Sequence, residues 1–138
     1  MTFRRAQPTQ GKKLSLSKSA DTARIDYNRE RPTFCLRFVD SSYCITSCSH
    51  EDKAAFADKL RRMSLLTWNE LINAPRHGMG FETIRRSEIR RPMPVQITED
   101  VTLIAFRFSG KNPMFGYRMD GMFHIVWFDC NFDLYDHS

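Results

Sequence analysis

The stretch from residue 101 to residue 129 constrains the fold more than any other part of the chain. It reads VTLIAFRFS, GKNP, MFGYRM, DG and MFHIVWFD. Three apolar runs rich in β-branched and aromatic residues are separated by two short breaks. Such side chains suit the pleated, half-buried surface of a strand. An Asp-Gly break of two residues between strands marks a hairpin, with a type I′ turn expected at Asp120-Gly121. The pattern predicts a three-stranded antiparallel meander over residues 101–109, 114–119 and 122–129. Strict alternation in the last strand puts Phe123, Ile125 and Trp127 on one face and His124, Val126 and Phe128 on the other. Both sets are largely apolar, so this strand is expected inside the sheet with both faces covered.

Upstream the period changes. Ser49-His50-Glu51-Asp52 reads as a helix start with Asp in place of the usual Glu of a capping box. Phe56, Leu60 and Met63 then fall on one face of a helix over residues 51–64, with Lys59 largely outside that stripe. Thr67-Trp68-Asn69-Glu70 opens a second helix that must stop before Pro75, docked by Trp68, Leu71 and Ile72. Residues 33–40 read as a strand, with a turn at Ser41-Ser42 and a short return arm at 43–46. Residues 75–80 (PRHGMG) are a loop, and 81–88 fit a short helix or a strand equally. Two prolines make residues 90–94 extended. Leu134-Tyr135 is expected to add a brief last pairing. The fold class is α+β: two short helices packed on an antiparallel β-sheet with a C-terminal three-stranded meander. At 138 residues one such domain, over 32–138, accounts for the chain.

The net charge of +5 is unevenly placed. Residues 1–31 hold eight Lys/Arg against three acids, and the remainder is balanced. The first 31 residues also lack apolar periodicity, so they read as a flexible basic arm suited to nucleic acid or an acidic partner. There is no apolar core of a signal peptide and no long apolar run, so no membrane partner is expected and a cytoplasmic location is. The four cysteines are then reduced thiols. Cys44, Cys48 and His50 lack a fourth ligand for zinc. Asp129-x-Asn131-x-Asp133 lacks the glycine and distal Glu of a calcium loop and reads as a turn. No metal and no cofactor are expected.

The texture Phe115-Gly116-Tyr117-Arg118-Met119-Asp120-Gly121-Met122-Phe123-His124-Ile125-Val126-Trp127-Phe128-Asp129, a basic strand turning into an apolar one, resembles the late hairpin of the RelE/ParE-like toxin superfamily of bacterial toxin–antitoxin systems. The ending Leu134-Tyr135-Asp136-His137 resembles the Tyr/His endings of its ribosome-dependent members. Thr67 to Glu70 and Arg76 to Glu82 are similar to a divergent toxin-like group. The likeness spans residues 33–137 and lies in topology and texture. It implies a metal-independent endoribonuclease that cuts mRNA, with RNA or the ribosome as target and a cognate antitoxin as protein partner. The alternative is a non-enzymatic binding module of a toxin–antitoxin or phage-defence system.

In the chemistry that the resemblance implies, the 2′-hydroxyl attacks the adjacent phosphate. A base, cations for the phosphate charge and an acid for the leaving oxygen are needed. Arg107, Arg118, Tyr135 and His137 are the catalytic candidates, with Lys111 on the RNA. Arg107 and Arg118 lie on adjacent predicted strands and are expected near one another, where two guanidiniums would clamp a phosphate. Against this, strand arginines are commonly structural, and Tyr135 commonly caps a core. Arg76, His77, Arg85 and Arg86, with Arg90 and Arg91, form a second basic cluster for RNA, where His77 and Glu82 offer another acid/base pair. Its bland reading is a solvated, ion-paired loop. His124 in its apolar strand reads as a core histidine.

Overall fold

The computed structural model describes residues 25–135. Its elements are β1 (Thr33–Cys35), α1 (His50–Met63), α2 (Trp68–Asn73), β2 (Phe81–Ile84), β3 (Leu103–Ser109), β4 (Asn112–Met119) and β5 (Met122–Phe128). They form one five-stranded sheet in the order β1-β5-β4-β3-β2. The meander β3-β4-β5 is antiparallel, as the sequence predicts, and β2 adds to it antiparallel. The ambiguous segment 81–88 is thus a strand followed by a 3-10 turn at Arg86–Glu88. The sheet is mixed, however, because β1 pairs with β5 in parallel. The expected return arm at 43–46 does not form. The Asp40 carboxylate accepts from the Ser42 amide at 2.9 Å and caps a 3-10 turn at Ser41–Tyr43. A second such turn follows at Ile45–Ser47 and leads into α1.

The helix starts follow their local chemistry. Ser49 caps α1 by accepting from the Asp52 amide at 3.0 Å. The Asp52 carboxylate does not reach back to close a capping box. It accepts instead from the Ser109 hydroxyl at 2.7 Å. Thr67 and Glu70 close a full capping box at α2. Phe56, Met63, Trp68 and Leu71 are buried against the sheet, while Ile72 is exposed. Lys59 is a correction: one turn from Phe56 and Met63 it shares their face and is buried.

The register contains the most consequential departure from simple alternation. Phe115 pairs with Trp127 and Gly116 with Ile125, so β5 holds one extra residue, Val126, opposite β4. A single inserted residue reverses which face each later side chain meets. Phe123 and Ile125 join the helical core, and beyond the bulge Phe128 does so as well. Trp127 lies with Val126 in a second core on the far face, among Leu103, Phe115, Ile97 and Leu134. The close approach also explains Gly116, since a Cβ there would sit 1.8 Å from the His124 carbonyl oxygen. The turn after β4 departs from type I′ as well. Asp120 has φ of 56°, but Gly121 is outside the left-handed region that type I′ also requires there.

Part of the expected basic arm belongs to the fold. Residues 1–24 lie outside the described residues. Tyr27–Arg29 form a 3-10 turn against α2, and the Glu30 carbonyl accepts from the Trp68 amide at 3.0 Å. The Gly121 carbonyl receives both the Thr33 amide at 3.1 Å and the Trp68 indole at 3.0 Å. That carbonyl ties α2 and the entry to β1 to the β4–β5 turn.

Trp127 is fully buried, and its indole donates to the Asp40 carboxylate at 3.2 Å. Trp127→Ala should cost about 3–5 kcal/mol, the range for emptying a large aromatic site. Urea denaturation checks this, and an unchanged midpoint would contradict a central position for β5.

Candidate functional site

The far face of the sheet is covered by chain rather than by helices. Residues 84–101 cross one side of it, and the segment after β5 returns along the other. This segment is organised by Asp129, a buried carboxylate that accepts from the Asp133 amide at 2.8 Å and the Leu134 amide at 2.9 Å. Burial pushes Asp129 above the usual carboxylate range, against those two hydrogen bonds. The motif is therefore a self-satisfied turn. It delivers Leu134 to the core and brings Tyr135 to an isolated bridge with Ile89, the brief pairing expected there.

A cleft of about 450 Å³ opens between these two covers. Ala105, Pro113 and Phe115 of the sheet form its floor, and Phe132 and Tyr135 one side. Arg76, Glu82, Thr83, Arg85 and Glu88 line the other side, and Arg107 and Lys111 reach it from the β3–β4 hairpin. Arg107 stands beside a second bulge, where the β3–β4 register shifts between residues 107 and 109. Lys111 follows Gly110, whose φ of 58° makes the tight turn.

The charges are arranged unevenly. Four cations face two carboxylates, a net of +2. Arg76 pairs with Glu82 and Arg85 with Glu88. Arg107 and Lys111 form no ion pair among the described residues, so their charge remains available to a ligand. Burial raises the pKa of Tyr135, and its hydrogen bond to Glu88 raises it further. The hydroxyl thus keeps its proton around neutrality, and the exposed part of the ring is what it offers.

Six of the residues singled out from sequence meet here: Arg107, Lys111, Arg76, Glu82, Arg85 and Tyr135. The others do not. Arg118 was expected beside Arg107 but lies elsewhere. Arg107 is paired with Pro113 and Arg118 with Phe123, five positions apart along β4, roughly 16 Å at the usual rise per strand residue. The Arg118 guanidinium lies over the Trp68 ring at 4.2 Å, on the helical side, and donates to the Asp120 carbonyl at 2.6 Å. Burial lowers its pKa, though not enough to discharge a guanidinium. Arg86 donates to the carbonyls of Thr98 at 2.5 Å and Ile97 at 2.8 Å, and so staples the covering loop. Arg91 is bound to Asp40 at 3.0 Å. Burial would raise Asp40, but Arg91, the Ser42 amide and the Trp127 indole together hold it below the carboxylate range. His77 is exposed in the 75–80 loop and is not among the cleft-lining residues. His137 lies outside the described residues. His124 stacks on Tyr117 at 4.9 Å, and burial lowers its pKa; its Nδ1 has no hydrogen-bond partner among the described residues.

Glu88 and Phe132 were not assigned to a site from sequence. Glu88 carried only its charge, and Phe132 reaches the cleft through a turn with φ of 59° that residue type alone does not announce. No family model, curated protein or solved structure matches the chain.

The loop carrying Arg76 is anchored by Lys59, whose ammonium donates to the Gly78 carbonyl at 3.0 Å. Burial, with the nearby Arg62 charge, pushes the Lys59 pKa down to about 8 from 10.5. The folded state therefore binds fewer protons than the unfolded state between those values, and this group makes stability rise with pH across that window. The stability difference between the natural chain and Lys59→Met should shift in favour of the natural chain as pH rises from about 8 to 10.5. Urea titrations of both proteins at several pH values measure this. A pH-independent difference would show that Lys59 titrates normally.

Proposed function

We propose that the protein holds single-stranded RNA in the Arg107–Lys111 cleft and cuts it without a metal, as a toxin-like endoribonuclease of the RelE/ParE kind. The observation that carries this reading is the convergence of cations from three separate segments on one cleft beside an aromatic ring. Unpaired cations suit phosphate oxygens, and a partly exposed ring suits an unstacked base. Arg107 and Lys111 hold the scissile phosphate and the charge that builds on it. Glu88 takes the 2′-hydroxyl proton once Arg85 shifts to the RNA. The ring of Tyr135 stacks a base rather than moving a proton, because its hydroxyl is a poor acid there. The proton for the leaving 5′-oxygen is assigned to His137 on the resemblance alone. A ribosome-bound target, a cognate antitoxin and a cytoplasmic setting belong to the same reading.

One observation favours a second reading, a module that binds RNA without cutting it. Both carboxylates of the cleft are already held by arginines, so neither is a free base in this state.

Fluorescence anisotropy with a short single-stranded RNA over a salt series tests binding. Arg107→Ala and Lys111→Ala should each weaken binding and lower the salt slope by about 0.7, the value of one phosphate contact on a single strand. Arg118→Ala should leave the slope unchanged. Induced expression in a bacterium, with primer extension on mRNA, then separates the two readings. New 5′ ends that vanish in Glu88→Gln support cleavage, and binding without new ends supports the module. Equal RNA affinity in all three variants would remove RNA from this cleft.

A further inference from the structure

On the opposite, helical face, three potential metal ligands meet from three separate elements. Cys48 ends the 3-10 turn before α1, Asp52 lies in the first turn of α1, and Cys130 follows β5. The two sulfurs and a carboxylate oxygen all lie within 4.8 Å of one another. We propose that Cys48, Asp52 and Cys130 form a binding site for one zinc ion. The proposal does not depend on the RNA reading, because the site is not part of the cleft.

The chemistry of the three donors fits that ion. Zinc takes thiolate and carboxylate ligands at about 2.3 and 2.0–2.2 Å, so tetrahedral ligands sit about 3.3–3.8 Å apart. The three donor atoms, within 4.8 Å of one another, are about an ångström wider than that range, so binding draws them together. Asp52 is already oriented, because the Ser109 hydroxyl holds it at 2.7 Å, the kind of support a ligating carboxylate has in metal sites. The backbone around Cys130 is steadied by Asn112, whose side chain donates to the Cys130 carbonyl at 3.3 Å. The fourth position is left to water. All four cysteines are free thiols. Without an ion, burial and the neighbouring Cys130 push the Cys48 thiol up, so it rests protonated. Binding converts both thiols to thiolates, with two protons passing to solvent and no change of oxidation state.

The ligand set also explains why sequence spacing alone misses the site. Cys44, Cys48 and His50 suggest a local motif, but the second thiol comes from Cys130, 82 residues beyond Cys48, and the carboxylate from the first turn of α1. An ion there would tie the start of α1 to the segment that carries Phe132 and Tyr135.

The test uses the full chain, kept reduced, titrated with Co²⁺ as a spectroscopic probe and then with Zn²⁺. One equivalent of Co²⁺ should give a sulfur-to-cobalt charge-transfer band that Zn²⁺ displaces, and Zn²⁺ should raise the melting temperature. Cys130→Ser, at a half-buried position, should lose the band's two-sulfur intensity and weaken binding on the order of 100-fold. Asp52→Asn should keep the band with weaker affinity. His50→Ala and Cys35→Ser should bind as the natural chain does. The proposal is overturned if the reduced chain gives no charge-transfer band or if Cys130→Ser binds unchanged. It is also overturned if a Cys48–Cys130 disulfide forms under reducing conditions in place of metal uptake.

Discussion

The rest of the structure depends on the single extra residue in β5. Val126 has no partner across β4, and from there the side-chain order reverses. Phe128 goes to the helices, while Val126 and Trp127 together build the second core. A sheet apolar on both faces must be covered on both. The helices α1 and α2 cover one face, and the other is left to the 84–101 chain and the turn after Asp129. Trp127 reaches Asp40 from this far face, and Asp40 in turn holds Arg91 of the covering chain. The cleft is the gap between those two covers.

The same arrangement sorts the cations. A guanidinium that satisfies carbonyls or lies over a ring is bound into the fold, as Arg86 and Arg118 are. One that pairs with a carboxylate at the rim, as Arg76 and Arg85 do, is partly neutralised. Arg107 and Lys111 stand on the hairpin that borders the gap and have neither kind of partner among the described residues. A phosphate entering the cleft would therefore meet two uncompensated charges first, and two exchangeable ion pairs behind them. Exposed ion pairs of that kind are weak enough to open when a ligand offers a better partner.

Much of the scaffold was legible in the sequence because its signals are local. The meander follows from three apolar runs and two breaks, and α2 follows from Thr67 and Glu70. What stayed hidden is long-range. Nothing near Thr33 announces a parallel partner at Met122, 89 residues away, and nothing in MFHIVWFD announces a bulge. That bulge moves Trp127 to the other face while leaving it buried, so the alternating pattern predicts its burial but not its face. The site was legible in part for the same reason. Residue type pointed to Arg107, Lys111, Arg76, Glu82, Arg85 and Tyr135, but strand adjacency alone could not separate Arg107 from Arg118, since register and face decide that. Glu88 and the Cys48–Asp52–Cys130 cluster needed the fold.

The central claim is that a nucleic-acid backbone lies across the β3–β4 hairpin and the segment after Asp129. Titrating the isotope-labelled chain with a short single-stranded RNA and following its NMR spectrum tests it most directly. The account predicts saturable shifts confined to the cleft, at Arg107, Lys111, the 82–88 segment, Phe132 and Tyr135, with the Arg118 and Trp68 side-chain signals unmoved. Shifts centred on Arg118 and the Asp120-Gly121 turn, with the cleft silent, would contradict it.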